Sequence, residues 1–284
     1  MTAPTDPVLI LRLNCADRPG IFAAVSTLIA THGGNILESS QFNDVLTGEF
    51  FMRVRFTFPA PDEFDALFSP IAQKQAMTWD ARREATRARV LILVSELDHC
   101  LVDLLYLWRT AFISMEVVGV VSNHDTLRSQ VEAHGLPFHH LPVTPETKEE
   151  QEARLFGLIE NTETDLVVLA RYMQILSNEL ARRLFGRAIN IHHSFLPGFK
   201  GARPYHQAHA RGVKLIGATA HYVTADLDEG PIIEHDVERV THADSPENFA
   251  GVGRRLDAKA QARAVRWLVE QRVFLNGAKT VVFR

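Results

Sequence analysis

Cysteine, surplus charge of either sign and long apolar runs are all scarce in this sequence. Its 284 residues include only two cysteines, Cys15 and Cys100, which lie too far apart for a metal-ligand or redox motif and give cysteine-dependent catalysis no support. A net charge of −4 provides no overall electrostatic signal for nucleic acid. No apolar run approaches the roughly 18 residues of a membrane span, and the first residues lack the features of a secretory signal. We therefore expect a cytoplasmic protein with neither a nucleic-acid nor a membrane partner.

The length of the chain favours two domains over one. Hydrophobic residues make up 46% of the chain and charged residues 23%, as in ordinary globular proteins, which argues against disorder and coiled coil. The segment 80–89 is charged and has no apolar anchors, which is typical of a linker. We predict a first domain at residues 1–80, a linker at 81–89 and a second domain at 90–284.

The first domain has the pattern of a small α+β fold. Its segments alternate as β-α-β-β-α-β, which indicates a ferredoxin-like arrangement. This segment resembles an ACT domain at Asp17, Pro19, Gly20, Gly34, Asn35 and Ile36. The resemblance implies regulation by a small amino-acid effector bound near Asp17, Gly20 and Asn35, and edge pairing that produces a homo-oligomer. A purely structural role stays open, because Pro-Gly turns and Gly-Gly helix ends are common.

From residue 89 onward, strands alternate with helices, which predicts a Rossmann-like, mostly parallel sheet. Buried strands are expected at 90–95, 115–121, 165–170 and 188–192. Ligands of open α/β sheets bind outside the carboxyl ends of the strands. The residues that follow the third and fourth of these strands are therefore candidates for a site.

Chemistry-bearing side chains gather at the end of the fourth strand and in a later turn. Asn190 and His192 are two residues apart, so an extended strand directs both to one face. An amide beside an imidazole suits oxyanion stabilisation and proton transfer during attack on a carbonyl carbon. Asp226 and Asp228 share a Leu-Asp-Glu-Gly-Pro turn that could supply a carboxylate, although turns favour acidic residues for structural reasons alone. The residues by themselves leave these two interpretations about even.

Several motifs in order resemble the folate-dependent formyltransferase fold over residues 88–284. They are Asn-x-His-x-Ser-x-Leu-Pro at 190–197, Gly201, Gln207-Ala208, Gly212, Gly217 to His221, and Leu227-Asp-x-Gly-Pro231. The resemblance implies the catalytic set Asn190, His192 and Asp228, with Asp226 the less favoured carboxylate. It also implies folate binding by Leu169, Arg171, Met173, Gln174, Leu176, His221, Val223 and Thr224.

Two departures narrow the resemblance to one branch. The segment Ser95–Cys100 has two carboxylates and no glycine where glycinamide ribonucleotide transformylases carry a Gly-rich phosphate loop. Gln174 stands where transformylases tend to have arginine. An ACT-like domain ahead of a formyltransferase fold is similar to the formyltetrahydrofolate deformylases, which hydrolyse 10-formyltetrahydrofolate to formate and tetrahydrofolate. The resemblance implies that this chain supplies formate for purine synthesis, balances one-carbon folate pools and has folate as a substrate, with no permanently bound cofactor.

The expected reaction begins with a water molecule that Asp228 orients or deprotonates. Asn190 and His192 then stabilise the oxyanion, and His192 protonates the departing N10. A formyltransferase acting on a small amine with the same residues is the nearest alternative, and an inactive regulatory binding protein is another. A metal-dependent hydrolase is a further alternative, although no pair has zinc-motif spacing and we expect no metal; its ligands would come from His192, His193, His206, His209, His221, Asp226 and Asp228.

Overall fold

The computed structural model describes residues 6–196 and 204–284. The motif residues Pro197 and Gly201 lie outside the described residues. The chain divides into two compact units. The first comprises the described part of Met1–Arg87 together with Gln271–Phe274 and Val281–Arg284, and the second comprises Ala88–Glu270 and Leu275–Thr280.

The first unit is a four-stranded antiparallel sheet with the strand order β2-β3-β1-β4 and two helices. The ferredoxin-like prediction is confirmed. Its elements are β1 (Val8–Ala16), α1 (Ile21–Thr31), β2 (Asn35–Asp44), β3 (Glu49–Thr57), α2 (Phe64–Lys74) and β4 (Thr78–Arg83).

The core of the first unit follows from the alternation of apolar side chains along β1. Leu9, Leu11 and Leu13 lie on one face of the strand and join the buried cluster that also contains Val25 and Ile29 of α1. Arg12 has the opposite parity, and its guanidinium donates to the Gln271 side chain and to the Val273 carbonyl oxygen at 2.9 and 2.5 Å. The C-terminal segment therefore contributes to this unit although it is remote in sequence.

The second unit is a seven-stranded sheet with the order β11-β10-β9-β8-β5-β6-β7, in which β7, β6, β5, β8 and β9 are parallel. The prediction of a mostly parallel sheet is confirmed. Its strands are β5 (Ala88–Val94), β6 (Met115–Ser122), β7 (Phe138–His140), β8 (Leu166–Leu169), β9 (Ala188–His192), β10 (Leu215–Tyr222) and β11 (Ile232–Arg239). Its helices are α3 (His99–Arg109), α4 (Arg128–Glu132), α5 (Lys148–Asn161), α6 (Asn178–Arg183), α7 (Pro204–Ala210) and α8 (Pro246–Val269).

Some boundaries differ from those the sequence predicts. The sequence pattern predicts one or two closing helices from Pro246 to Val273, but α8 ends at Val269 and a hairpin of β12 (Val273–Asn276) and β13 (Lys279–Val282) follows. The predicted linker 81–89 is partly strand, since Ala81 in β4 pairs with Leu11 and β5 begins at Ala88. As the outermost strand of its sheet, β4 tolerates charged residues. The division at 1–80, 81–89 and 90–284 stays a prediction.

The order of the strands places three chain segments side by side. Leu169 at the end of β8 pairs with Asn190 in β9, and Asn190 in turn pairs with His221 in the antiparallel strand β10. The ends of β8 and β9 and the turn after β10 therefore meet at one edge of the sheet, where open α/β folds bind their ligands. In the described part of the chain, no helix combines the length and the apolar character that crossing a membrane requires.

Candidate active site

Strand β9 delivers two polar side chains to one edge of the sheet. Ile189 and Ile191 are buried, while Asn190 and His192 share the other face of the strand. His192 is also buried, with 5% of its surface exposed. A buried imidazole needs a polar partner, and that partner comes from the turn after β10.

The turn between β10 and β11 holds Asp228 in an unusual backbone conformation. Asp228 has a φ of 56°, in the left-handed region that residues other than glycine rarely adopt. At Gly230 a Cβ atom would lie 1.8 Å from the carbonyl oxygen of Tyr222, so only glycine fits there. The Glu229 N–H donates to the carbonyl oxygen of Asp226 at 3.3 Å. This tight turn directs the Asp228 carboxylate inward, whereas Asp226 is exposed.

His192 and Asp228 are in direct polar contact. His192 Nδ1 lies 3.1 Å from Asp228 Oδ2, and only 13% of the Asp228 side chain is exposed. Burial by itself raises the pKa of Asp228, but the hydrogen bond from His192 and the nearby imidazole of His221 outweigh it and hold that pKa well below its usual value. Asp228 is therefore ionised at neutral pH. Because Nδ1 faces a carboxylate, the tautomer with a proton on Nδ1 leaves Nε2 with a free lone pair.

His192 Nε2 is buried and has no hydrogen-bond partner among the described residues. A buried polar atom without a partner is costly, and in a cavity it marks a place for a substrate atom or water. The second nitrogen of His192 is therefore available for proton transfer.

His221 lies between Asn190 and Asp228 and contacts both. Its Nδ1 lies 2.9 Å from the Tyr222 carbonyl oxygen, which can only accept, so Nδ1 carries a proton. Its Nε2 lies 3.4 Å from Asn190 Nδ2 and 3.6 Å from Asp228 Oδ1. The contact with Nε2 holds the side-chain amide of Asn190 in place. His221, which the resemblance predicts to bind folate, therefore also positions a predicted catalytic residue.

One cavity of about 650 Å³ brings these residues together. Its lining includes the three predicted catalytic residues Asn190, His192 and Asp228, and all eight predicted folate residues, namely Leu169, Arg171, Met173, Gln174, Leu176, His221, Val223 and Thr224. The side chains differ in depth, since Leu169 is buried whereas 58% of Met173 is exposed. A cavity of this size with a few convergent polar groups suits a small organic ligand.

Buried polar side chains hold the irregular segment 170–177 in place. The Ser95 hydroxyl accepts a hydrogen bond from the Met173 N–H at 3.0 Å and donates to Asn123 Oδ1 at 2.6 Å. Gln261 Nε2 donates to the Leu169 carbonyl oxygen at 2.9 Å, and the Glu152 carboxylate accepts from the N–H and hydroxyl of Ser177. These contacts compensate for the ladder hydrogen bonds that the backbone loses after β8.

The sequence did not indicate every residue of the cavity. Asp257 of α8 is almost fully buried beside Tyr205 and Arg171, and a carboxylate inside a long helix has no local motif that would reveal it. His193 also lines the cavity. Burial and the Arg171 charge lower the pKa of His193 to about 4, so it is neutral at pH 7.

Among residues 6–196 and 204–284, no three His, Cys, Asp or Glu side chains are grouped as a metal site would require. Of the histidines considered as ligands, His209 contacts the Asp244 carbonyl oxygen through Nε2 at 3.1 Å.

Family models match both parts of the chain. One described as Formyl transferase matches residues 88–265, and one described as ACT domain matches residues 9–67. A formyltetrahydrofolate deformylase of Corynebacterium sp. (strain P-1) is 50% identical over 279 residues, which cover 97% of this chain and 98% of that protein. The chain belongs to the formyltetrahydrofolate deformylase family.

Solved structures agree with this deformylase assignment. A formyltetrahydrofolate deformylase from Burkholderia mallei has a TM-score of 0.93 and 52% identity, and the match covers 98% of this chain and all of that one. Glycinamide ribonucleotide transformylase 1 from Symbiobacterium toebii has a TM-score of 0.65 and 28% identity, covering 70% of this chain and 95% of the other. The deformylases match along the whole chain, whereas the transformylase matches only part of it.

In this deformylase-family chain, the segment after β5 serves internal contacts. Ser95 holds the Met173 N–H, and His99 Nε2 lies 3.3 Å from Asp257 Oδ2. The Asp98 carbonyl oxygen accepts from the Val102 N–H at the start of α3.

The predicted effector residues of the ACT domain lie apart within one chain. Asp17 accepts a hydrogen bond from Asn43 near the end of β2, and Gly20 is close by with a φ of 93°. Asn35 begins β2 and pairs with Thr57. The eight residue-to-residue steps from Asn35 to Asn43 span on the order of 25 Å of extended strand, so one small molecule cannot contact all three predicted residues of a single chain.

We predict that Gly230→Ala abolishes most activity and lowers the stability of the second unit by about 1–3 kcal/mol. The new methyl group collides with the backbone of Tyr222, and relief of that clash moves Asp228 away from His192. Denaturant unfolding and turnover of the folate substrate measure the two effects. Gly251→Ala is the control, because a Cβ there has nothing within 4 Å. Equal behaviour of the two variants would contradict the role of this turn.

We predict that Ser95→Ala raises the KM for the folate substrate by roughly 3- to 10-fold, the worth of one hydrogen bond, with a smaller change in kcat. The Met173 N–H loses its acceptor, and the segment that lines the cavity becomes less ordered. Steady-state kinetics measure both constants. Ser129→Ala on the exposed side of α4 is the matched control. A decrease in kcat at unchanged KM would assign Ser95 a different role.

Proposed function

We propose that the chain hydrolyses 10-formyltetrahydrofolate to formate and tetrahydrofolate. The observation that carries the proposal is the Asn190, His192 and Asp228 constellation inside one cavity of a chain that is 50% identical to a deformylase. Water adds to the formyl carbon, the bond between that carbon and N10 breaks, N10 takes a proton, and the formic acid formed loses one to give formate.

His192 serves as the base that activates water. His192 lines the cavity, and its Nε2 is without a hydrogen-bond partner among the described residues, while Nδ1 contacts Asp228 at 3.1 Å. The sequence alone suggested Asp228 for this role. A carboxylate with a depressed pKa is a weak base, however, and both oxygens of Asp228 already have histidine neighbours. Asp228 therefore orients His192 and stabilises the imidazolium that forms, as in other carboxylate-imidazole pairs.

Asn190 stabilises the tetrahedral intermediate. Asn190 Nδ2 lies 3.4 Å from His221 Nε2, and this contact holds the side-chain amide in place. The amide can therefore donate an N–H to the intermediate without reorganising during the reaction. The protonated His192 then delivers its proton to N10 as the bond to carbon breaks. One proton thus passes from water to the leaving group through a single imidazole.

The folate lies along the segment 169–176 and beside Val223 and Thr224. This wall of the cavity offers apolar surface next to backbone polar groups, which suits a flat heterocycle with hydrogen-bonding edges. Folate enters the proposal as the substrate, and the roles above require only side chains of the chain and water.

The cellular role we propose is the supply of formate for purine synthesis and the balance of one-carbon folate pools. A cytoplasmic location fits the two buried free thiols of Cys15 and Cys100. The proposal includes a homo-oligomer and an amino-acid effector at the ACT domain. Because Asn35 is remote from Asp17 and Gly20, a second copy of the chain has to supply it if all three bind one effector.

We predict that the purified chain releases formate from 10-formyltetrahydrofolate without any added amine. Asp228→Asn should lower turnover by roughly 10³-fold, because the imidazole loses its charged partner, while folate binding persists. Asparagine also tolerates the left-handed backbone at this position. Formate release and folate affinity are measured separately, and Asp226→Asn on the same turn is the matched control. A strict requirement for an amine acceptor would favour the formyltransferase alternative, and normal turnover of Asp228→Asn would refute the mechanism.

We predict that one of the common amino acids binds the chain and changes its turnover. Calorimetric titration of the intact protein, followed by kinetics at saturating effector, measures both. Asp17→Ala should weaken the binding without changing turnover in the absence of effector. Absence of heat together with unchanged kinetics would leave the ACT domain a structural role.

A further inference from the structure

Arg171 belongs to the segment proposed to bind folate, but none of the proposed chemical steps uses its positive charge. It follows β8 by two residues, has a φ of 64°, and lines the cavity. Only 10% of its side chain is exposed. Its Nε is buried without a hydrogen-bond partner among the described residues. A left-handed backbone and an unfilled donor at the same residue are features that functional sites tolerate and ordinary structural positions avoid.

The carboxylate of Asp257, beside Arg171, does not accept a hydrogen bond from Arg171 Nε. Asp257 Oδ2 lies 3.9 Å from Arg171 Nε, which is an ion-pair distance but too long for a hydrogen bond. Asp257 is also shared, since His99 Nε2 lies 3.3 Å from Oδ2 and the Tyr205 hydroxyl donates to Oδ1 at 3.3 Å. A guanidinium withdrawn from water requires hydrogen-bond acceptors around it. Asp257 therefore holds the cation in place while leaving donor capacity for a ligand.

The chemistry of that ligand follows from the shape of the donor. A guanidinium presents a planar fork of N–H groups that matches the two oxygens of a carboxylate. The same cavity contains Asn190 and His192, where hydrolysis generates a carboxylate. Asp228 is anionic and repels that product, whereas neutral His193 lines the cavity beside His192 with a ring-centroid separation of 5.3 Å. Electrostatics therefore drive a newly formed anion from Asp228 towards Arg171.

We propose that Arg171 forms a carboxylate subsite that receives formate as it leaves the catalytic residues. The inference rests on the proposed hydrolysis for the source of the formate. The glutamate tail of the folate carries the same chemical group, so the experiment has to distinguish the two sources.

Binding of ¹³C-formate to the folate-free protein, followed by NMR line broadening, tests the subsite independently of turnover. We expect Arg171→Gln to weaken formate binding by about tenfold or more, the value of one charged hydrogen bond, and Arg171→Lys to retain part of it. Arg254→Gln is the matched control, because it removes one positive charge from the exposed rim of the same cavity. Thermal unfolding verifies that each variant is folded. Unchanged binding in Arg171→Gln, or an equal loss in Arg254→Gln, would overturn the proposal.

Kinetics with two substrates separate formate from the folate tail. The substrates are 10-formyltetrahydrofolate and 10-formyltetrahydropteroate, which lacks the glutamate. If Arg171 binds formate, Arg171→Gln weakens product inhibition by formate with both substrates alike. An increase in KM confined to the glutamate-bearing substrate would assign Arg171 to the tail and refute the formate subsite. Wild-type protein that binds formate but releases none from either substrate would refute the proposed hydrolysis and leave the subsite intact.

Discussion

The contact between the His192 imidazole and the Asp228 carboxylate is the interaction on which the arrangement of the site depends. It joins the end of a parallel strand to a turn that lies 36 residues later, so it forms only when β9 and β10 pair in one register. It orients His192, leaves Nε2 without a partner among the described residues, and helps to keep the carboxylate ionised against the cost of its burial. A shift of one residue in that register would turn Asn190 and His192 to the opposite face.

The backbone of the site carries strain that the surrounding structure has to support. Asp228 and Arg171 both have positive φ angles, each of which costs about 1–2 kcal/mol in a residue with a Cβ. Gly230 allows the first of these turns to approach Tyr222, and Ser95 with Gln261 anchors the segment that contains the second. The two strained positions lie on opposite sides of the strand end that carries His192. Packing and buried hydrogen bonds thus hold the cavity walls in conformations that the local sequence would not choose.

Much of this arrangement could be predicted from the sequence, because the signals were local or periodic. A dense run of apolar residues predicts the strand β1 of the first unit, and buried runs predict the parallel strands of the second. The bounds of β9 were predicted to the residue, and a glycine, Gly186, lies two positions before that strand. The choice of Asp228 over Asp226 needed the family resemblance, since the two carboxylates are indistinguishable in a turn considered alone. In the structure one faces His192 and the other is exposed.

What the sequence could not give is the set of contacts between residues that no motif connects. Asp257 meets Arg171 across 86 positions and His99 across 158, and both contacts arise only from the packing of α8 near the ends of the strands. The position of a proton on a histidine ring cannot be predicted from the sequence either. His221 Nδ1 donates to the backbone carbonyl oxygen of the next residue, and this leaves Nε2 to contact Asn190. A pattern of residue types can therefore identify the catalytic set, but which nitrogen of each histidine is free, and so which group can act as the base, depends on partners that only the folded chain supplies.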